Sequence, residues 1–506
     1  MSYLLRALKL YDRDPGRPFL SEGDGPALTY ADLIGLSASL AGRLAGPHGL
    51  RRGERLLCKI EKRVEALILY LACVRAGVVF VPVNPAYTLS ELDYFLQDCA
   101  PTLIVCEAAE AGDVVALPNR SQSTPVLTIG QDRSGDLAAG LARDTRFADA
   151  PSEAEDLAAI LYTSGTTGRS KGAMLTHGNL AANALTLAQI WRFAAEDVLL
   201  HCLPVFHTHG LFVATNTVLA SGASMIFQRR FEAAAALEAL SSATVFMGVP
   251  TYFTRLLGEP GLTPASVAGV RLFISGSAPL PAEQHRAWTA RTGKVILERY
   301  GMTETGMLTS NPYDAERKPG AVGSPLPGVS ARIADPETGR VLATGETGMI
   351  EVSGPNVFAG YWARPELSAA EFRSDGYFIT GDVGLIDEDG YVWIVGRGKD
   401  LIITGGLNVY PREVEAAVDA LPGVVESAII GLPHADFGEA VTAVVVVEGP
   451  EAFTEADALT ALKARLAGFK TPKRVLVVSE LPRNAMGKVQ KAALRQQFAD
   501  LYSGAH

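Results

Sequence analysis

Ten residues directly behind a hydrophobic run that ends at Tyr162 carry the densest chemistry in the chain: Thr163, Ser164, Gly165, Thr166, Thr167, Gly168, Arg169, Ser170, Lys171 and Gly172. Three glycines let backbone N–H groups turn inward, five hydroxyls donate hydrogen bonds, and Lys171 adds a point charge, which together make a cradle for a polyphosphate. The spacing is not that of a Walker loop, because Gly168 is followed by Arg169 and Lys171 precedes Gly172 rather than Ser or Thr. A loop of Gly, Ser and Thr alone is ordinary turn chemistry. The density of hydroxyls with two cations behind a buried strand is what points to phosphate.

Other residues carry chemistry only in context. Glu304 in GMTETG stands between Thr303 and Thr305, and a carboxylate flanked by hydroxyls suits Mg2+, which takes few protein oxygens and leaves room for phosphate. His207 and His209 at i, i+2 supply two metal ligands with no clear third, so His207 reads as a pocket donor and His209 as a packing or loop residue. Arg255 falls in MGVPTYFTRLLGEP, on a short helix after a buried strand, where its guanidinium could bind a carboxylate bidentately. Taken singly, Glu304, Arg255 and Lys488 would each read as a solvated surface charge.

The elements that must position these residues alternate between strand and helix. RLLCKI near 54–60, VEALILYLACVRAG at 64–77 and VVFVPVN at 78–84 read as strand, helix and strand of a parallel sheet. FEAAAALEAL at 231–240 reads as a helix, and TVFMGVP at 244–250 as a buried strand ended by Pro250. From about residue 320 the texture becomes Gly- and Pro-rich with short alternating stretches, a small β-rich subdomain. After the glycine-rich GRGKDLIITGG at 396–406, residues 410–421 and 456–469 read as helices and 424–432 and 440–449 as strands of a compact α+β unit. The expected fold is therefore α/β: a large N-terminal body of two α/β subdomains plus a small β-rich subdomain over 1–396, and a small mobile α+β C-terminal domain over 397–506.

Composition narrows the class. The 506 residues are 48% hydrophobic with a net charge of −10, and no basic run stands out, which disfavours a grip on nucleic acid. The five cysteines, Cys58, Cys73, Cys99, Cys106 and Cys202, form no Cys-x-x-Cys pair and predict neither a disulfide framework nor a zinc site. No stretch is long enough to span a bilayer and the N-terminus lacks an uninterrupted apolar region, so a cytoplasmic location is expected. The sequence does not specify an oligomeric state.

YTSGTTGRSKG resembles the signature loop of the adenylate-forming acyl-CoA synthetases, luciferases and peptide-synthetase adenylation domains. GSAPL (276–280), ERYGMTETG (298–306), TGDVG (380–384), GRGKDLIITGG (396–406) and PRNAMGKVQK (482–491) follow in the same order, so the resemblance extends over nearly the whole chain. It implies ATP, Mg2+ and coenzyme A as the small molecules used. It implies that the loop residues Thr163 to Gly168 and Lys171, with Gly276, Ser277, Ala278, Glu298, Arg299, Tyr300, Gly301 and Met302, bind ATP, Tyr300 and Gly301 flanking adenine. It assigns Glu304 to the metal, Thr303 to phosphate, Asp382 and Arg397 to the ribose, and Lys488 to catalysis between the substrate carboxylate and the α-phosphate. Lys399 would be the hinge, and Gly405 and Gly406 the loop that admits coenzyme A. The resemblance is greatest to the malonyl-CoA synthetases, through LPVFHTHGLFVATN, VPTYFTRLL, LFISGSAPL and LERYGMTET. That likeness carries Arg255 to the distal carboxylate of malonate, with methylmalonate a possible minor substrate, and puts His207, Thr208, Ser277 and Met302 near the acyl pocket. No carrier domain follows the lysine motif before LYSGAH, which favours a free thiol as acceptor. Another short-chain acyl-CoA synthetase, or a stand-alone adenylation module that loads a carrier protein, stays open at this point.

Overall fold

A computed structural model describes residues 1–23, 25–130, 134–139, 141–163, 170–405, 407–434, 436–449, 453–484 and 487–502. The run from Arg55 to Pro82 shows how the large body is assembled. Strands Arg55–Lys59 and Val79–Pro82 pair in parallel across helix Val64–Ala76. All 13 residues of that helix are buried, as its lack of a polar face requires. Its Tyr70 ring lies 5.8 Å from Phe80 on the sheet and 5.6 Å from Phe212 in the turn His209–Ala214, so the helix packs between that sheet and the turn.

The first of those sheets has six strands in the order Val126–Ile129, Leu103–Glu107, Arg55–Lys59, Val79–Pro82, Leu157–Thr163, Lys171–Thr176. Its last pair is antiparallel, with Thr163 opposite Lys171. The glycine-rich loop therefore joins two strands of a hairpin instead of leading from a strand into a helix, which is the structural form of its departure from a Walker loop. The second sheet has nine strands. Strands Val198–His201, Val245–Gly248, Leu272–Ser275 and Ile296–Met302 run parallel in its middle, so His201, Gly248, Ser275 and Met302 all fall at their C-terminal edge. Open α/β sheets bind ligands at that edge.

The Gly- and Pro-rich region forms a four-stranded antiparallel sheet, Ser330–Ala334, Gly348–Ser353, Phe378–Ile386 and Val392–Arg397. The chain leaves it through the tight turn Gly398–Asp400 and enters a five-stranded sheet that includes Ile402–Thr404, Val424–His434, Gly438–Val447 and Arg474–Val477. The helix expected over 456–469 is shorter, Glu455–Lys463. Gly468 follows, and Thr471 precedes Pro472, which disfavours continued helix. A separate apolar core holds this unit together, around Ile402, Val414, Ile429, Val441 and Leu462. The unit rests on the large body: a Cβ at Gly487 would lie 3.2 Å from the Thr251 hydroxyl, on helix Pro250–Leu257.

Candidate active site

Register brings the first pair of site residues together. Strand Phe378–Ile386 pairs antiparallel with Val392–Arg397 so that Asp382 stands directly opposite Arg397. The Arg397 Nε lies 2.8 Å from Asp382 Oδ1, and the Tyr300 hydroxyl donates to Asp382 Oδ2 at 2.5 Å. Asp382 is 3% exposed, and these two neighbours satisfy both of its carboxylate oxygens. Tyr300 comes from the end of strand Ile296–Met302, and its contact ties the second sheet to the third.

One residue earlier, Arg299 is buried and its Nε, Nη1 and Nη2 find no acceptor among the described residues. Parallel register pairs Ser275 with Glu298, which makes Gly276 the neighbour of Arg299. A Cβ at Gly276 would sit 2.5 Å from the guanidinium carbon, so only a glycine lets the side chain lie across this strand end. Burial alone lowers the Arg299 pKa to about 9. A buried cation with every donor unpaired is costly, and it marks a site for an anion. Strand alternation turns Glu298 to the other face. There it accepts from the Gly320 N–H at 2.9 Å, and burial raises its pKa to about 7 against the opposing Gly320 hydrogen bond and the Arg412 charge.

The turn after Val198–His201 supplies the histidines. The His209 N–H donates to His207 Nδ1 at 3.3 Å, which leaves Nε2 of His207 to carry the ring proton. Burial, then the Lys488 and Arg299 charges, push the His207 pKa down to about 3, so this ring is neutral. His209 is bonded through Nδ1 to the Ser277 hydroxyl at 3.1 Å and opens a π-helical turn, His209–Ala214. Ser277 itself has φ +71°, a left-handed conformation seldom taken by a non-glycine residue and often found where a site holds strain.

Lys488 reaches this cleft from the small domain. Its N–H donates to Asn484 Oδ1 at 3.0 Å, and Gly487 before it has φ +72°. Burial and the Arg397 charge lower the ammonium pKa to about 8, while Asp382 and Glu304 oppose the shift. One lysine thus lies in the field of the Asp382–Arg397 pair, Glu304 and Arg299 together.

Glu304 is 5% exposed and accepts from Thr163 Oγ1 at 3.4 Å and from the Tyr361 hydroxyl at 3.1 Å. Burial raises its pKa in spite of those contacts. Lys171 donates to Glu371 at 2.9 Å. Tyr361 and Glu371 were not anticipated from the sequence: neither lies in a motif, and what joins them to the site is the pairing of the 360–362 segment with strand Lys171–Thr176.

Of the remaining anticipated residues, Gly301 packs against Gly306 in the hairpin that carries Met302 and Thr303, both half-buried beside Glu304. Ala278 is half-buried next to Ser277, and Thr208 is buried next to His207. Ser164, Gly165, Thr166, Thr167, Gly168 and Gly406 lie outside the described residues. Lys399 and Gly405 are exposed, in the turn between the sheets and in the hairpin beyond it. The apolar side of helix Pro250–Leu257 turns Phe253 and Leu256 into the core, which leaves Arg255 exposed, whereas Arg299 is buried.

A strand-edge cleft where Asp382, Arg397, Arg299, His207 and Glu304 lie near a lysine from a second domain suits an enzyme that binds anionic substrates. Residues 9–362 match the AMP-binding enzyme family and residues 413–488 its C-terminal domain, and the chain belongs to that family, as an adenylate-forming acid–thiol ligase. It is 55% identical to MatB from Rhodopseudomonas palustris over 99% of this chain and 100% of that one. The TM-score is 0.96 to the ATP-bound crystal structure and 0.85 to the apo form. The arrangement described here is thus more like that of ATP-bound MatB than that of apo MatB. Curated relatives include a feruloyl-CoA synthase from Amycolatopsis sp, 37% identical with 94% of each chain covered. They also include a mitochondrial malonate–CoA ligase from Bos taurus, 34% identical with 94% of this chain and 88% of that one covered. No helix among the described residues is long and apolar enough to cross a membrane.

Proposed function

We propose that this protein joins malonate to coenzyme A by way of malonyl-adenylate, releasing pyrophosphate and then AMP. The observation that carries the choice of acid is the buried Arg299 guanidinium, whose nitrogens have no hydrogen-bond partner among the described residues, because a distal carboxylate would both fill and neutralise that site. A feruloyl-type acid would put a large neutral ring against the same unpaired cation, at a desolvation cost with no charge to offset it. The malonate–CoA ligase relative supports the same reading.

The cleft supports two steps. In the first, a malonate oxygen attacks the α-phosphorus of ATP, the bond to the β-phosphate oxygen breaks, and pyrophosphate leaves. Arg299 holds the far carboxylate, and the Nε2–H of His207 is free to donate to the near one or to the α-phosphoryl group. Lys488 places its ammonium between the two anions as charge moves. Asp382 and Arg397 hold the ribose and fix the α-phosphorus in line. In the second step the thiol sulfur bonds to the acyl carbon, AMP leaves with the electron pair of the anhydride, and the thiol proton goes to solvent or phosphate. For that step the small domain turns about Lys399 and presents Gly405 and Gly406 in place of Lys488.

Glu304 fits a divalent cation. It is buried and its pKa is raised, and its contacts are two hydroxyls. Among the described residues no group of three or more His, Cys, Asp or Glu could hold a metal, so the ion would take one protein carboxylate and phosphate oxygens, as Mg2+ does. When bound it would neutralise triphosphate charge and stabilise departing pyrophosphate.

The pH dependence follows from Lys488. The ammonium form is the active one, and its pKa in the free enzyme is about 8. The kcat/KM for adenylate formation should hold near neutral pH and fall about tenfold per unit well above pH 8. His207, at about 3, contributes no limb near neutrality. A flat profile through pH 9 would contradict the assignment of Lys488.

Pyrophosphate release with malonate, acetate, butyrate, octanoate and ferulate, with and without coenzyme A, tests the function itself. Malonate should be the preferred acid, and a malonyl thioester should form once coenzyme A is added. Preference for a monoacid would reject the substrate. Release with no thioester product would favour loading of a carrier protein.

A further inference from the structure

Lys171 leaves the phosphate loop already engaged. Its ammonium donates to Glu371 Oε1 at 2.9 Å and lies 4.2 Å from the centre of the Tyr361 ring. The Tyr361 hydroxyl stands 2.8 Å from Glu371 Oε2 and 3.1 Å from Glu304 Oε1. Tyr361 is itself fixed: it is 3% exposed, its ring packs edge-on against Phe358 at 4.9 Å, and the backbone beside it is bonded to the loop's return strand through Trp362 N to Gly172 O at 2.8 Å.

A phenol has one hydrogen and cannot donate to two carboxylates at once. The Lys171 ion pair weakens Glu371 as an acceptor, which lets that hydrogen turn to Glu304 although the contact with Glu371 is the shorter one. Without the lysine, Glu371 competes for it, and Glu304 then faces an oxygen lone pair. We propose that Tyr361 is a positioning residue for Glu304, and that Lys171 acts on the metal site through Glu371 and Tyr361 instead of contacting phosphate. The inference rests on the reading of Glu304 as the metal carboxylate. It gives the loop lysine a different task from a polyphosphate clamp. A lysine moved onto phosphate would strand Glu371 as an uncompensated anion in a half-buried site.

The test is binding of adenosine 5′-(α,β-methylene)triphosphate by calorimetry, with excess EDTA and then at graded Mg2+, to folded wild type and variants. Tyr361→Phe and Lys171→Met are each expected to leave metal-free affinity within about twofold. Each should raise the Mg2+ concentration for half-saturation about tenfold, the scale of losing a group that orients a metal ligand. Adding Glu371→Gln to Lys171→Met should restore most of the Mg2+ response, because the amide donates to the phenol oxygen and returns the hydroxyl hydrogen to Glu304. Loss of metal-free affinity in Lys171→Met, with no rescue by Glu371→Gln, would overturn the inference in favour of direct phosphate contact. An unchanged Mg2+ response in Tyr361→Phe would overturn it as well. Binding to wild type that ignores Mg2+ would instead remove Glu304 from the metal, a separate failure.

Discussion

Lys488→Ala is expected to lower malonyl-adenylate formation by about 10²–10³-fold, the effect of removing one preorganised donor from developing charge, and to leave thioester formation from supplied malonyl-adenylate near the wild-type rate. The split follows from where the lysine sits. Its ammonium lies in the field of Asp382, Arg397, Glu304 and Arg299, at the point where a carboxylate and an α-phosphate would have to approach each other. It arrives there on a loop of the small domain, with Gly487 against Thr251. Rotation about Lys399 would carry it away before the thiol attacks. Measuring pyrophosphate release and thioester formation separately checks this. Equal losses in both half-reactions would mean that the residue supports the fold or the domain contact and not the first transfer.

Arg299→Leu is expected to lower kcat/KM for malonate by about 10²-fold, close to 3 kcal/mol, within the range for removing one partner of a buried, hydrogen-bonded charge pair. Two further results separate this from simple damage. Thermal stability of the ligand-free variant should not fall, because the guanidinium has no partner among the described residues to lose and its burial is a cost to the folded state. Arg255→Leu should change malonate use by less than about twofold, as expected for an exposed side chain away from special contacts. Steady-state kinetics with a melting curve checks both variants. A large loss in Arg255→Leu with none in Arg299→Leu would reverse the assignment.

The contrast between these two arginines shows how far the sequence could be read. Strand–helix alternation from Arg55 to Pro82 and the β-rich texture near 320 rest on local periodicity and composition and have their counterparts in the sheets, and the glycine-rich stretch at 396–406 falls where the chain passes from the four-stranded to the five-stranded sheet. The order of short motifs pointed to the nucleotide chemistry because each motif carries its residues within a few positions of one another. The acyl pocket is different. Whether Arg255 or Arg299 is buried depends on which side of a short helix packs inward and on a parallel register that sets Gly276 beside Arg299, and neither is encoded within a motif. Glu298 and Arg299 are adjacent in ERYGMTETG, yet strand alternation sends them to opposite faces, which the motif alone does not reveal. Tyr361 and Glu371 escaped because they meet Glu304 and Lys171 through sheet pairing between segments roughly 200 residues apart.

The most direct measurement is a double-mutant cycle between enzyme and substrate: kcat/KM for pyrophosphate release by wild type and Arg299→Leu, each with malonate and with its monomethyl ester. If the guanidinium holds the distal carboxylate, the coupling should be at least about 2 kcal/mol, in the range found for close charge pairs. Coupling near zero for Arg299, or an equal coupling obtained with Arg255→Leu in its place, would contradict the proposed recognition of malonate.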